Sequence, residues 1–361
     1  MSSEQDNTIA RQKLLMELNE KLLKQKKEMD AQLEEMTIEK EHIESEKKKI
    51  EEKNTKLWEQ SSAIHKEKER IDKLKQEVEA RHKEVMDSIS YAERIQKAIL
   101  PPEQEIKSAL PESFVFFQPK DIVSGDFYWM GKTNSKFQIS NSELQSEISN
   151  LKSEIIFIAA VDCTGHGVPG AFMSMIGNIL LEEIVMQKGF TDPGKILEQL
   201  DTNVRLILRQ DNHQTSTRDG MDICLCVINK ESKTIQYAGA NRPLWLVRGA
   251  PLSFGEGQGV RLEETKATKT AIGGLRDTPA SFQTHTINYH HGDIFYLSTD
   301  GFADQFSTHD KKMMTKRFKE TILSVQNKTM YEQGNHLKEY FINWKGNMEQ
   351  TDDVLVIGFK L

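Results

Sequence analysis

The chain has 361 residues, enough for two or three domains, with 29% charged and 37% hydrophobic residues and a formal net charge of −7. That acidic balance argues against nucleic acid as the main partner, and three cysteines, an odd number, build no disulfide framework. Met1–Arg11 is polar, and no apolar run nears the roughly 18 residues of a membrane span. The best is Ile155–Val161, so a cytoplasmic protein with no membrane span is expected.

Residues 1–100 contain neither Gly nor Pro, and they carry 21 Lys+Arg against 23 Asp+Glu. Stepping by seven, Leu15, Leu22, Met29, Met36, Ile43, Ile50, Leu57, Ile64, Ile71, Val78, Val85, Ala92 and Ile99 form an unbroken apolar register. A straight helix drifts against a strict seven-residue repeat, so such a seam stays dry only when helices supercoil. The second seam is poor: its positions are mostly Gln, Glu, Lys, Asn and Ser, with Leu18, Leu33, Leu74, Ile89 and Ile95 as exceptions. The pattern predicts a weak, parallel, homodimeric coiled coil over 1–90, reaching on the order of 135 Å at 1.5 Å per residue. A solvated single helix laced with ion pairs is the plainer alternative.

The helical pattern closes with Tyr91–Leu100 and is stopped by Pro101-Pro102. Ile95, Ile99 and Leu100 give its last turns an apolar stripe suited to docking on a globular domain. Residues 91–110 are therefore read as a linker or switch helix and turn, through which a signal could pass.

From Phe114 the periodicity changes. Short β-prone runs occur at Phe114–Gln118, Phe127–Met130, Ile155–Val161, Ile223–Ile228, Thr234–Tyr237, Leu244–Val247, Ile294–Leu297 and Val354–Phe359. Helical stretches lie around Gly170–Gln187, Pro193–Arg209, Lys311–Val325 and Tyr331–Trp344. The order shows no regular βαβ alternation, which predicts an α+β domain with antiparallel sheets over 111–361. Lys132–Ser153 reads as a polar surface hairpin or insertion, and Gly249–Gly259 as a Gly-rich loop.

Acidic residues recur where the predicted strands begin or end: Asp126 in Ser124-Gly-Asp-Phe-Tyr-Trp129, Asp162 in Asp162-Cys-Thr-Gly-His-Gly167, Asp300 in Ser298-Thr-Asp-Gly301, and Asp352-Asp353 before Val354. Any one Asp-Gly is most simply a turn. Together they place carboxylates at four strand ends, costly unless something positive compensates them, and no Lys or Arg adjoins them in sequence. Hard divalent cations with oxygen ligands, Mg²⁺ or Mn²⁺, fit that pattern. Cys224 and Cys226 are at strand spacing and read as core rather than as zinc ligands. Asp222 reads as a neighbour of the site, part of a weaker metal site, or a solvated strand-end acid. Arg242, in Asn241-Arg-Pro, could touch a phosphoprotein substrate but reads better as a surface arginine.

The runs around Asp126 and Asp162, with Gly239-Ala-Asn-Arg-Pro-Leu244, Ser298-Thr-Asp-Gly-Phe302 and Gln350-Thr-Asp-Asp-Val354, resemble the SpoIIE-type branch of the metal-dependent, type-2C-like serine/threonine protein phosphatases (PPM family). The resemblance covers roughly Tyr91–Leu361. It implies a central sandwich of two antiparallel sheets flanked by helices, with two Mn²⁺ or Mg²⁺ ions at one edge. It further implies that Asp162 bridges both ions, that the Cys163 carbonyl and Asp126 serve the second, and that Asp300 and Asp352 hold the first. Asp353 is the lesser candidate of its pair. His166 is a candidate general acid, although a His between glycines can equally shape the turn.

The implied activity is hydrolysis of phosphoserine or phosphothreonine on a regulatory protein, an anti-sigma-factor antagonist in this branch, by a water that two cations activate. The competing class is a coiled-coil scaffold with an inactive phosphatase-like domain. A different two-metal hydrolase, such as a phosphodiesterase, would usually add several His ligands, and only His166 lies within a carboxylate motif.

Overall fold

A run such as Ile155–Val161, apolar at every position, can be buried on both faces only at the centre of a sheet. In the computed structural model, which describes residues 2–134, 154–210, 217–249 and 260–361, that run lies within β3 (Glu154–Cys163). On its two sides β3 pairs antiparallel with β2 (Phe127–Asn134) and β4 (Gly220–Asn229). The sheet continues through β5 (Thr234–Ala240) to β9 (His285–Asn288), and the two-residue β8 (Ile272–Gly273) pairs with the start of β4. The second sheet has the order β1-β11-β10-β6-β7. Its strands are β1 (Ser113–Gln118), β6 (Leu244–Gly249), β7 (Val260–Thr265), β10 (Ile294–Ser298) and β11 (Val354–Lys360).

The period of two along β3 sorts its residues between cores. Ile156, Ile158 and Ala160 face the other sheet and pack with Leu246, Leu297, Leu355 and Ile357. Phe157, Ala159 and Val161 face outward, against α3 (Gly167–Glu182), whose end widens into a π-helical turn (Glu183–Gln187), and α4 (Pro193–Ile207). On the outer face of the second sheet, Phe116, Tyr296 and Val356 pack against the short α5 (Gly301–Asp304), α6 (Met314–Ser324) and α7 (Met330–Lys345). The result is the expected α+β sandwich with helices on both outer faces. Cys224 and Cys226 are wholly buried between the sheets, as core residues.

The first 98-residue helix, α1 (Ser2–Ile99), ends just before Pro101-Pro102, and a short α2 (Glu103–Ala109) leads into β1. The chain divides into two compact units, Met1–Glu84 and Val85–Leu361. Within the first, the heptad residues Leu15, Leu22, Ile43, Ile50 and Leu57 are each more than half exposed. The single chain therefore gives this register no cover.

Several elements differ from expectation. β7, β8 and β9 were not expected; β7 and β9 are edge strands whose residues alternate with polar ones, so no apolar run marks them. Helix α3 with its π-turn is, by length and composition alone, apolar enough to cross a bilayer, although no uninterrupted apolar run announces it. More than half of it is buried in the core of its own unit, as in a core helix of a soluble fold. β2 and β3 pair as far as Asn134 and Glu154; the rest of the expected polar insertion, 135–153, lies outside the described residues, as does nearly all of the Gly-rich loop at 249–259.

Candidate active site

Antiparallel pairing gathers the acidic strand ends. The start of β2 lies beside the end of β3, and the end of β10 beside the start of β11. Asp126, Asp162, Asp300 and Asp352 thus come to one end of the sandwich, although up to 226 positions separate them in sequence. Asp222, at the start of β4, stands directly opposite Asp162 in register. Like charges facing one another across strands are destabilising on their own.

Asp126 is 3% exposed and accepts a 2.6 Å hydrogen bond from Thr299 Oγ1. The same hydroxyl oxygen accepts the Leu355 N–H at 3.0 Å, so Thr299 ties the Asp126 loop of one sheet to the strand ends of the other. Burial, and then the charge of Asp162, pushes the Asp126 carboxyl well above its ordinary value. Burial also pushes Asp162 well up; Arg242 opposes this, and Asp300, Asp222 and Asp352 add to it. Asp352 is raised as well, chiefly by burial. Each shift has the sign of a carboxylate short of positive charge.

Among the described residues, Arg242 is the cation in ion-pair contact with these acids. Its Nη2 lies 2.9 Å from Asp162 Oδ2, 2.6 Å from Asp300 Oδ2 and 3.2 Å from Asp222 Oδ2, while Asn241 donates to Asp222 Oδ1 at 2.8 Å. The expectation of a surface arginine is therefore corrected. Arg242 is mostly buried over the acids, because Asn241, at φ 57°, turns the chain at the end of β5 and aims the next side chain inward. Compensation is incomplete: Asp162 Oδ2 is buried without a hydrogen-bond partner, its contact with Arg242 being an ion pair of poor hydrogen-bond geometry. Among the described residues, no three His, Cys, Asp or Glu side chains close into a ready-made ligand set. The donors are nonetheless all hard oxygens, undercompensated and converging, which suits a divalent cation of the Mg²⁺ or Mn²⁺ type.

The adjacent acids divide their work. Asp353 is buried, and its two oxygens accept the backbone N–H groups of Lys120 and Gly125, both at 2.7 Å. It holds the loop that carries Asp126. Asp352 is engaged through one oxygen, which accepts the Asp353 N–H at 2.8 Å. Cys163 contributes backbone: a β-carbon on Gly125 would stand 3.2 Å from the Cys163 carbonyl oxygen and 2.4 Å from that of Gly165. That approach is possible only because Gly125 has no side chain.

His166 precedes α3 at the rim. Its Nδ1 lies 2.6 Å from Asp121 Oδ2 and its Nε2 3.0 Å from Lys120 Nζ. Further in, Gln96 of α1, 5% exposed, inserts between two pieces of the site. Its amide donates to the Ser124 carbonyl at 2.6 Å and to Ser174 Oγ of α3 at 2.8 Å, and its oxygen accepts the Ser124 N–H at 3.0 Å. Thr299, Gln96, Lys120 and Asp121 were not singled out from the sequence. Gln96 alone carried a signal, as the uncharged polar residue in an apolar helix end.

The family model described as Stage II sporulation protein E (SpoIIE) matches residues 153–361. No curated protein sequence matches the chain. Among solved structures, the SiaA-PP2C domain of Pseudomonas aeruginosa is 28% identical and superposes with a TM-score of 0.61, covering 78% of this chain and 99% of that one. The PP2C phosphatase domain with a fragment of the regulatory domain of SpoIIE from Bacillus subtilis is 16% identical, with a TM-score of 0.49, covering 69% of this chain and 63% of that one. The RsbU and RsbW domains of a Mycobacterium tuberculosis protein are also 16% identical, at 0.48, covering 70% and 60%.

Proposed function

The chain belongs to the SpoIIE family, and we propose on that premise that it is a Mn²⁺- or Mg²⁺-dependent phosphatase acting on phosphoserine or phosphothreonine of a regulatory protein. The observation that carries the reading is the convergence of Asp126, Asp162, Asp300 and Asp352 on one end of the sandwich with too little positive charge among them. In this reading Asp126, Asp162, the Cys163 carbonyl, Asp300 and Asp352 would hold the two cations. When bound, the cations supply an activated water and neutralise phosphoryl oxygens. The protein's own groups do the rest. Thr299 fixes Asp126, Asp353 fixes the loop before it, Arg242 moderates the repulsion among Asp162, Asp222 and Asp300, and His166 stands at the rim, where the leaving-group proton is handled.

A phosphorylated anti-sigma-factor antagonist is the substrate proposed for this site, in a partner-switching pathway. The long helix is proposed to dimerise the enzyme through its uncovered heptad register. Gln96 then makes the end of that helix a lever on the Asp126 loop and α3. Three free, buried cysteines suit a reducing, cytoplasmic compartment.

The test is phosphate release from an aryl phosphate and from a phosphoserine peptide with Mn²⁺ or Mg²⁺ present, comparing wild type with Asp162→Ala. A loss of at least about 10³-fold is expected, since the resemblance makes Asp162 a ligand of both ions. Equal rates would return the reading to an inactive scaffold.

A further inference from the structure

The departing seryl oxygen needs a proton, and the geometry at the rim says which group delivers it. A carboxylate only accepts hydrogen bonds, so the 2.6 Å contact with Asp121 Oδ2 puts the His166 proton on Nδ1. An ammonium only donates, so the 3.0 Å contact with Lys120 Nζ makes Nε2 an acceptor. In this arrangement Nε2, the nitrogen facing the lysine, has no proton to offer, and a second positive charge on the ring would face the lysine at hydrogen-bond distance.

Lys120, by contrast, carries protons, and no carboxylate among the described residues forms an ion pair with it. Its backbone N–H is anchored on Asp353, one residue from Asp352, and its charge reaches the Asp352 carboxylate. Its side chain lines a groove of about 620 Å³ together with Phe306 and Thr351, the latter immediately before Asp352.

We propose that Lys120 is the catalytic acid of this site, touching the leaving oxygen of the substrate, and that Asp121 and His166 are positioning residues that hold its ammonium. The inference rests on the phosphatase reading above and deepens it. Water oxygen bonds to phosphorus as the phosphorus–seryl oxygen bond breaks. The bonding pair goes to the seryl oxygen, which takes a proton from Lys120 Nζ. The attacking water keeps one hydrogen in hydrogen phosphate and releases the other to solvent, from which the neutral lysine amine is reprotonated.

A poor leaving group needs that proton and a good one does not, which separates proton donation from phosphate binding or folding. The full chain and its Lys120→Met and Lys120→Arg variants are assayed with a phosphoserine peptide and with p-nitrophenyl phosphate, in Mn²⁺. The ratio of the two kcat/KM values, peptide over aryl ester, is expected to fall about 10²-fold in both variants, the arginine keeping the charge but not the transferable proton. Asp121→Asn is expected to lower the same ratio by a smaller factor. An unchanged ratio, whether both activities fall together or neither falls, overturns the assignment. A wild type inert on both esters would instead defeat the phosphatase reading, and this one with it.

Discussion

The two units of the chain are each incomplete, in opposite currencies. Residues 1–84 balance their charges locally, in pairs such as Lys75–Glu79, but leave a row of apolar side chains in water. Residues 85–361 bury their apolar side chains in three well-filled cores but leave a knot of carboxylates with one arginine among them. What the first lacks is another apolar surface, and what the second lacks is positive charge. The difference shows that a missing partner can be read from the kind of imbalance a chain leaves: uncovered hydrophobic area calls for a protein surface, and unneutralised buried oxygens call for cations.

The sharpest way to break this comparison is at the helix. Replacing Ile43, Ile50 and Leu57 together by Asn removes three uncovered apolar residues from each chain. At about 1.5 kcal/mol or more for each side chain buried in a dimer, the six losses weaken association by roughly 9 kcal/mol. Light scattering at micromolar concentration is expected to show a dimer for the wild type and a monomer for the variant. A monomeric wild type would make the first unit a solvated single helix and remove the first half of the comparison.

A smaller effect is expected where α1 meets the site. Gln96→Ala leaves the Ser124 N–H and carbonyl and the Ser174 hydroxyl without their partner, at a cost of about 1–3 kcal/mol. If the helix end acts on the site, kcat for a phosphoserine peptide falls with it, by about tenfold. A lower melting temperature with kcat unchanged would reduce Gln96 to a structural pin.

How far these features were legible in sequence depends on the range of the forces involved. The heptad register, the proline stop and the doubly buried strand at Ile155–Val161 are local patterns, and each was readable from neighbouring residues. So was the recurrence of acids at strand ends. The edge strands β7 and β9 were not readable, because half their residues face solvent and no apolar run marks them. Arg242 was misread for a related reason. Its sequence neighbours are uncharged, and only the turn at Asn241 brings it onto acids 58 and 80 positions away. Thr299 is a polar residue whose partner lies across the sandwich, so one-dimensional reading had nothing to attach it to, and Gln96, though marked as the uncharged polar residue of its helix end, finds partners on a distant loop and another helix.

The smallest expected effect tests the electrostatic half directly. Asp126 and Asp162 are pushed above the ordinary carboxyl value of 3.8, so the folded, metal-free protein holds protons that the unfolded chain releases. Stability that is fully present below that value is lost as pH rises through the raised ones, because both acids must then ionise in the same buried place. Divalent cations replace those protons and offset the loss. In a chelator, Asp126→Asn should therefore raise the melting temperature by a few degrees more at about pH 8 than at about pH 5. In millimolar Mn²⁺ the order should reverse, since the wild type gains a bound ion that the variant holds poorly. Melting temperatures that run parallel for the two proteins, with and without Mn²⁺, would mean that these carboxylates are compensated by the protein alone and that no cation is required between them.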